Sequence, residues 1–299
     1  MKRNKSLTYL ASTLAVLFWG MSYIWADSLL NNGIPVFYFI FVRILIAGII
    51  LLLLNMVTVG LEPIRRRDIP KFLLVSFCEP FIYFITETYG IKATGSPTIS
   101  ALIIATIPIF SMGAGIIFFK EKISRINRIG VLLSLVGIVL VAMSKGEIGD
   151  NFIWGIILLF IAVFSEVAHA SLTKSLLETY TSQNIVMYQF MIGALYLLPL
   201  FIWKGLEDFE PSLYLSAEVW TPILCLAVLC SSAAFTLWVS TLKTLGVARS
   251  SIFSALIPVV SALIAWVIGR EVLTTRQWTG IAIAVLGVIL SQYVSKETR

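Results

Sequence analysis

Charge is scarce in this chain. Lys, Arg, Asp and Glu together make up 13% of its 299 residues, about half the share usual in soluble proteins, which excludes a solvated globular surface around an ordinary core. Histidine occurs once, as His169, and cysteine three times, as Cys78, Cys225 and Cys230. No Cys/His spacing suits zinc, and three cysteines within apolar runs build no disulfide framework. A nucleophile with its base is equally missing, so enzyme chemistry, a metal centre and a bound cofactor are not expected.

What the chain has instead is apolar length. Hydrophobic residues reach 59%, against roughly 45–50% in soluble domains. A helix needs about 20 consecutive apolar residues to cross a bilayer. Ten such runs lie near 7–28, 35–57, 70–91, 97–119, 127–144, 152–173, 183–203, 217–242, 248–269 and 277–295, numbered here as spans 1 to 10. The first is too long for a signal peptide and no small-x-small cleavage site follows it, so it is expected to stay as a helix. The connections are short. The expected fold class is therefore an all-α membrane protein of ten transmembrane helices.

A formal net charge of +6 could point to nucleic acid, but the basic residues alternate from loop to loop, which is the mark of membrane orientation. With the N-terminus cytoplasmic, sixteen of the 22 lysines and arginines fall on that side, among them Arg65, Arg66, Arg67 and Arg125. Five fall opposite, and Arg43 lies inside span 2. Both termini are expected inside, at the cytoplasmic membrane, with lipid and a small molecule as partners and no nucleic acid. Monomer and dimer both remain open.

The two halves repeat. Pro108, Glu121, Gly130 and Gly137 return as Pro258, Glu271, Gly280 and Gly287, each 150 residues on, and Arg43-I-L-I-A-G aligns with Gln189-F-M-I-G-A at a spacing of 146. Units at 1–148 and 149–299 would each hold five spans, and an odd number of crossings inverts one unit relative to the other. Inverted repeats suit a site that opens to either side of a membrane.

The motifs F-W-G-M-S-Y in span 1, F-V-R in span 2, Y-G-I-K-A-T before span 4, I-P-I-F followed by F-F-K-E-K, and the later L-K-T-L-G-V-A-R, I-P-V-V and I-G-R-E-V resemble the EamA family of the drug/metabolite transporter superfamily. The resemblance covers about residues 7–295. It implies a ten-helix inverted-repeat fold and movement of small metabolites, often outward.

An ionisable side chain at the bilayer centre costs about 2.5–3.5 kcal/mol by insertion scales, so such residues normally face the bundle interior. Asp27 reads as a solvated helix end, and Glu121 and Glu271 as helix termini at the interface. Arg43 either holds a carboxylate or meets an anionic part of the substrate. In span 3, Glu79, Tyr83 and Glu87 stand within about 80° of one another at about 100° per residue, so they can share a cavity. Pro80 frees a backbone carbonyl in the same region. A structural pair between Glu79 and Arg43 is the plainer alternative.

In span 6, Glu166 and His169 are three residues apart and meet on one face. Together with Glu87 they are the expected proton-coupling groups, since such side chains can load a proton on one side and release it on the other. The stretch S-E-V-A-H-A-S-L-T-K also resembles the first helix of the small multidrug resistance proteins, with Glu166, Val167, Ser171, Leu172 and Lys174 matching and His169 replacing a small residue. That resemblance implies a glutamate that binds protons and cations in competition.

Trp19, Tyr23, Arg43, Glu79, Tyr83 and Trp238 are the expected substrate-binding residues, with the Trp19 face suited to an amine or ring. Pro108 and Pro258 are the expected hinges. Three carboxylates against Arg43 and His169 favour a cationic or zwitterionic passenger over a free anion. The sequence therefore reads as a secondary transporter exporting an amino-acid-like or cationic metabolite, by proton antiport with alternating access. An uncoupled facilitator or exchanger, a membrane-embedded enzyme and a non-transporting helper of a membrane complex are the alternatives.

Overall fold

A computed structural model describes residues 5–94, 100, 103–120, 124–142, 151–206, 216–267 and 273–291. Among them every regular element is helical. Helix α1 spans Lys5–Asn31 and α2 Val36–Val57. Helix α3, Ile69–Ser76, passes through a π-helical segment, Phe77–Ile82, into α4, Tyr83–Thr94. Helix α5 is Ile107–Phe119, α6 Arg125–Ala142, α7 Phe152–Leu176 and α8 Ser182–Leu200. Helix α9, Ala217–Cys225, passes through another π-helical segment, Leu226–Ala233, into α10, Ala234–Leu245. Helix α11, Val247–Ser251, a 3-10 segment, Ile252–Leu256, and α12, Ile257–Val267, follow without a gap, and α13 is Thr275–Ser291.

Seven continuous stretches among the described residues are long and apolar enough to cross a membrane: Ser6–Asn31, Val36–Val57, Arg66–Thr94, Phe152–Leu176, Ser182–Gly205, Ala217–Leu245 and Val247–Ile264. Spans 4, 5 and 10 of the sequence fall on the shorter α5, α6 and α13. The outer surface is apolar, with Phe118 72% and Leu195 67% exposed, as a multi-pass membrane protein requires where it meets lipid. Glu121, Glu271 and both chain termini lie outside the described residues, as does the side chain of Asp27.

Lipid gives apolar side chains little reason to leave it, so helices in a membrane associate largely through close packing of small residues. Helices α6 and α13 show this. A Cβ on Gly130 would meet the backbone of Gly287 and Ser291, one on Gly137 that of Gly280 and Ala284, and one on Gly287 that of Gly130 and Ser134. The helices run antiparallel with their backbones in contact. The largest apolar core lies where α2 packs on α8, around Phe39, Ile40, Ile44, Met187 and Phe190.

The break in span 3 follows from Pro80. The residue before a proline is pushed out of the α region, and Glu79 stands at φ −144°, ψ 123°. Pro108 and Pro258, the expected hinges, start helices and do not sit inside them. Each is the second residue of a helix, α5 or α12, where the missing N–H leaves no bond unmade, and the chain before each is a turn or 3-10 helix. The interruption is real but precedes the proline.

Candidate functional site

A cavity lies among α1, α2, the α3–α4 break, α4, α5, α7, α10 and the 3-10 segment leading into α12. Every expected substrate-binding residue lines it: Trp19, Tyr23, Arg43, Glu79, Tyr83 and Trp238. Of the expected proton-coupling residues, Glu87 and Glu166 line it as well, and His169 stands behind the wall with 0% exposure. Pro108 and Pro258 adjoin the lining residues Ile107 and Ile257.

The polar lining divides into two groups. One is built around His169. Its Nδ1 lies 3.0 Å from Glu166 Oε2, the expected neighbour one turn away, and 2.9 Å from Glu79 Oε2. Its Nε2 lies 3.2 Å from Gln189 Oε1 on α8. An amide oxygen accepts, so Nε2 carries the ring hydrogen there. A neutral imidazole would then turn a lone pair towards two carboxylate oxygens. Only a further proton, on Nδ1 or on a carboxylate, makes those contacts attractive. The same three donor atoms lie within 4.8 Å of one another, a set that could also take a metal ion.

Local structure explains the placement of Glu79. Its extended backbone interrupts the regular helix ladder, so that the Tyr83 N–H reaches back five residues to the Cys78 carbonyl, and Ser165 Oγ on α7 donates to the same carbonyl at 2.7 Å. This hydrogen bond ties α7 to the break, one residue from both Glu79 and Glu166. The plainer expectation, Glu79 paired with Arg43, differs from what is found: the ion-pair partner of Glu79 is His169.

The second group is Arg43, Glu87, Tyr23 and Tyr83. Both tyrosine hydroxyls donate to Glu87 Oε1, at 3.1 and 3.0 Å. The Arg43 guanidinium lies over the Phe84 ring, 4.2 Å from its centroid, and Nε donates to Ser231 Oγ at 3.3 Å. Among the described residues no carboxylate forms an ion pair with it. Aromatic rings close this end of the cavity. Trp19 meets Phe235 and Trp238 edge-on at 5.2 and 5.3 Å, and its Nε1 donates to the Cys230 carbonyl at 3.1 Å. Trp19 is thus held by its polar edge.

Sequence reasoning passed over Ser165, Gln189 and Ser231. Gln189 carried a signal, since it is the repeat counterpart of Arg43 in an otherwise apolar span. The two serines carried none, because an isolated serine in a membrane helix is common.

The EamA-like transporter family model matches residues 6–143 and again 153–293. The uncharacterized transporter YetK of Bacillus subtilis is 26% identical over 99% of this chain and 89% of its own length. A protein of Streptantibioticus cattleyicolor named "Probable terminal-alkyne amino-acid exporter" is 27% identical over 77% of this chain and 75% of its own. One of Salmonella typhimurium named "Probable amino-acid metabolite efflux pump" is 23% identical over 94% and 93%. A solved structure covering 97% of both chains superposes with a TM-score of 0.81 at 17% identity, which establishes a shared fold. Two family matches that together span nearly all of the described residues, on an all-helical apolar bundle with a polar cavity, make this chain a member of the EamA-like transporter family.

Proposed function

We propose that this chain exports a small amino-acid-like or cationic metabolite across the cytoplasmic membrane by proton antiport, using alternating access between two inverted five-helix repeats. The observation that carries the proton is the position of His169 Nδ1 between Glu79 Oε2 and Glu166 Oε2. Both carboxylates face the cavity, so protons can enter and leave through them, and the buried imidazole links them. Glu79, expected with the substrate, joins the proton group in this reading. Glu87, expected with the proton, joins the substrate group.

Three observations support the inverted repeat. The family model matches twice. Gly130 faces Gly287 and Gly137 faces Gly280, the reciprocal contact that a two-fold relation between α6 and α13 produces. The third is a pair of hydrogen bonds: Trp19 donates to the carbonyl of Cys230, and Ser165, 146 residues after Trp19, donates to that of Cys78. Each accepting carbonyl lies in a π-helical segment. Two similar packings related by pseudo-symmetry give the near-equal states that alternating access needs.

In operation, protons entering the cavity neutralise the carboxylates and substrate binding competes with that loading, so each substrate leaves in exchange for protons. Purified protein in proteoliposomes, offered amino acids and amines one at a time, tests this. At least one compound is expected to accumulate against its own gradient only while a pH gradient is imposed. Flux that is only downhill and indifferent to pH would make the protein an uncoupled facilitator.

A further inference from the structure

Arg43 is the cavity group left least explained by the proposed function. It is 7% exposed, and a buried cation is normally matched by a carboxylate because its desolvation is otherwise uncompensated. Here the guanidinium has Phe84 beneath it and Ser231 at Nε. Neither neutralises it. The terminal nitrogens have no hydrogen-bond partner among the described residues, yet they are absent from the sealed, unpartnered atoms of the interior. Arg43 lines the cavity. Arginine presents a planar fork of donors matched to a carboxylate.

Glu87 is the complement. Tyr23 and Tyr83 fix its Oε1 from two helices, and Oε2 takes no protein donor and is likewise not sealed off. The carboxylate and the guanidinium line the same cavity without closing into an ion pair. An unpaired cation and an unpaired anion thus line one cavity, held apart by the helices that carry them. A ligand with its own carboxylate and ammonium a few bonds apart satisfies both. A simple cation leaves Arg43 unmatched and is repelled by it, and a simple anion leaves Glu87 in the same position.

We infer that the passenger is an α-amino-acid zwitterion, its carboxylate on the terminal nitrogens of Arg43, its ammonium on Glu87 Oε2, and its side chain against the rings of Trp19, Phe235 and Trp238. The inference rests on the proposed transport of amino-acid-like or cationic compounds and selects between them. It also separates the labour of the cavity: Arg43 and Glu87 set specificity, and Glu79, Glu166 and His169 carry the proton.

The probes are L-leucine, L-leucinamide, which keeps the ammonium and loses the carboxylate, and 4-methylpentanoate, which does the reverse. Binding to purified wild-type protein is measured by calorimetry, and L-leucine is expected to bind about tenfold or more tightly than either relative, the worth of one charge-assisted contact. Arg43→Gln should abolish the preference over L-leucinamide and keep that over 4-methylpentanoate. Glu87→Gln should do the opposite, and a melting curve for each variant checks that it is folded. Wild-type protein that binds L-leucinamide as tightly as L-leucine overturns the inference while leaving transport of a cation standing. Wild-type protein that binds none of the three overturns the inference, while the proposed transport still stands or falls by the flux of the wider set of amino acids and amines. The ligand series needs no substitution, so an Arg43→Gln protein that fails to fold does not protect the claim. In that event Arg43→Lys, which keeps the charge and loses the fork, is expected to lower the preference over L-leucinamide at least about threefold, and an unchanged preference would contradict the assignment.

Discussion

Ser165 Oγ donates to the Cys78 carbonyl at 2.7 Å, joining α7 to the interrupted turn that carries Glu79. Ser165 is next to Glu166 in the chain and Cys78 is next to Glu79, so one hydrogen bond sets the separation of the two carboxylates that face His169. Replacing Ser165 by alanine removes one of the two donors to the Cys78 carbonyl, at a cost of about 0.5–1.5 kcal/mol. A lower melting temperature is expected, together with a shifted pH dependence of transport, because the carboxylates lose their register. Trp19→Phe removes the indole donor to the Cys230 carbonyl and should destabilise comparably with no shift in pH dependence. Identical pH profiles for wild type and Ser165→Ala would reduce the contact to packing.

Close packing of α6 on α13 yields a second prediction. Gly287→Val should destabilise strongly, since its Cβ meets backbone that cannot move aside and overpacking costs about 1–3 kcal/mol or more. Gly113→Ala is the control: its added methyl has nothing within 4 Å. Melting curves in detergent should separate the two by several degrees. Equal curves would contradict the backbone contact.

The third prediction concerns Pro108 and Pro258, each at the second position of a helix restarting beside the cavity. Alanine at both lets the helix extend backwards through the turn or 3-10 segment and stiffens the wall that must rearrange. Transport should slow more than binding weakens. An unchanged transport rate would leave both prolines as ordinary helix starts.

Orientation is tested by tags at the two termini, both expected to be reached only from the cytoplasmic side, as the sixteen-to-five distribution of basic residues requires. Labelling of either terminus from outside intact cells would contradict it.

The sequence made some of this site legible and hid the rest for a physical reason. Spacing along one unbroken helix was reliable: Glu166 and His169, three apart on α7, meet at 3.0 Å, and Tyr83 and Glu87, four apart on α4, meet at 3.0 Å. The same counting placed Glu79 with Tyr83 and Glu87. All three do line the cavity, but the count crosses Pro80, where the extended backbone of Glu79 resets the helical phase. Glu79 therefore turns to His169 and away from the tyrosine pair. Contacts between helices, such as His169 to Gln189 and Arg43 to Ser231, depend on packing that no periodicity within one helix encodes. The repeat was the exception, for it set Gln189 in the register of Arg43 before any contact was known.

The central claim is that Glu166, with Glu79 and His169, carries the coupling proton. The most direct test is Glu166→Gln in proteoliposomes, with flux measured with and without an imposed pH gradient and a melting curve taken on the same preparation. Glutamine keeps a hydrogen-bonding group beside His169 and cannot release a proton. The account predicts a folded protein that still exchanges substrate down its gradient and no longer accumulates it in response to pH. His169→Ala should do less, shifting the pH optimum while some accumulation remains. A purely structural role for Glu166 predicts loss of folded protein instead, since breaking a buried pair costs about 3–5 kcal/mol. A well-folded Glu166→Gln protein that concentrates substrate under a pH gradient as wild type does would contradict the account.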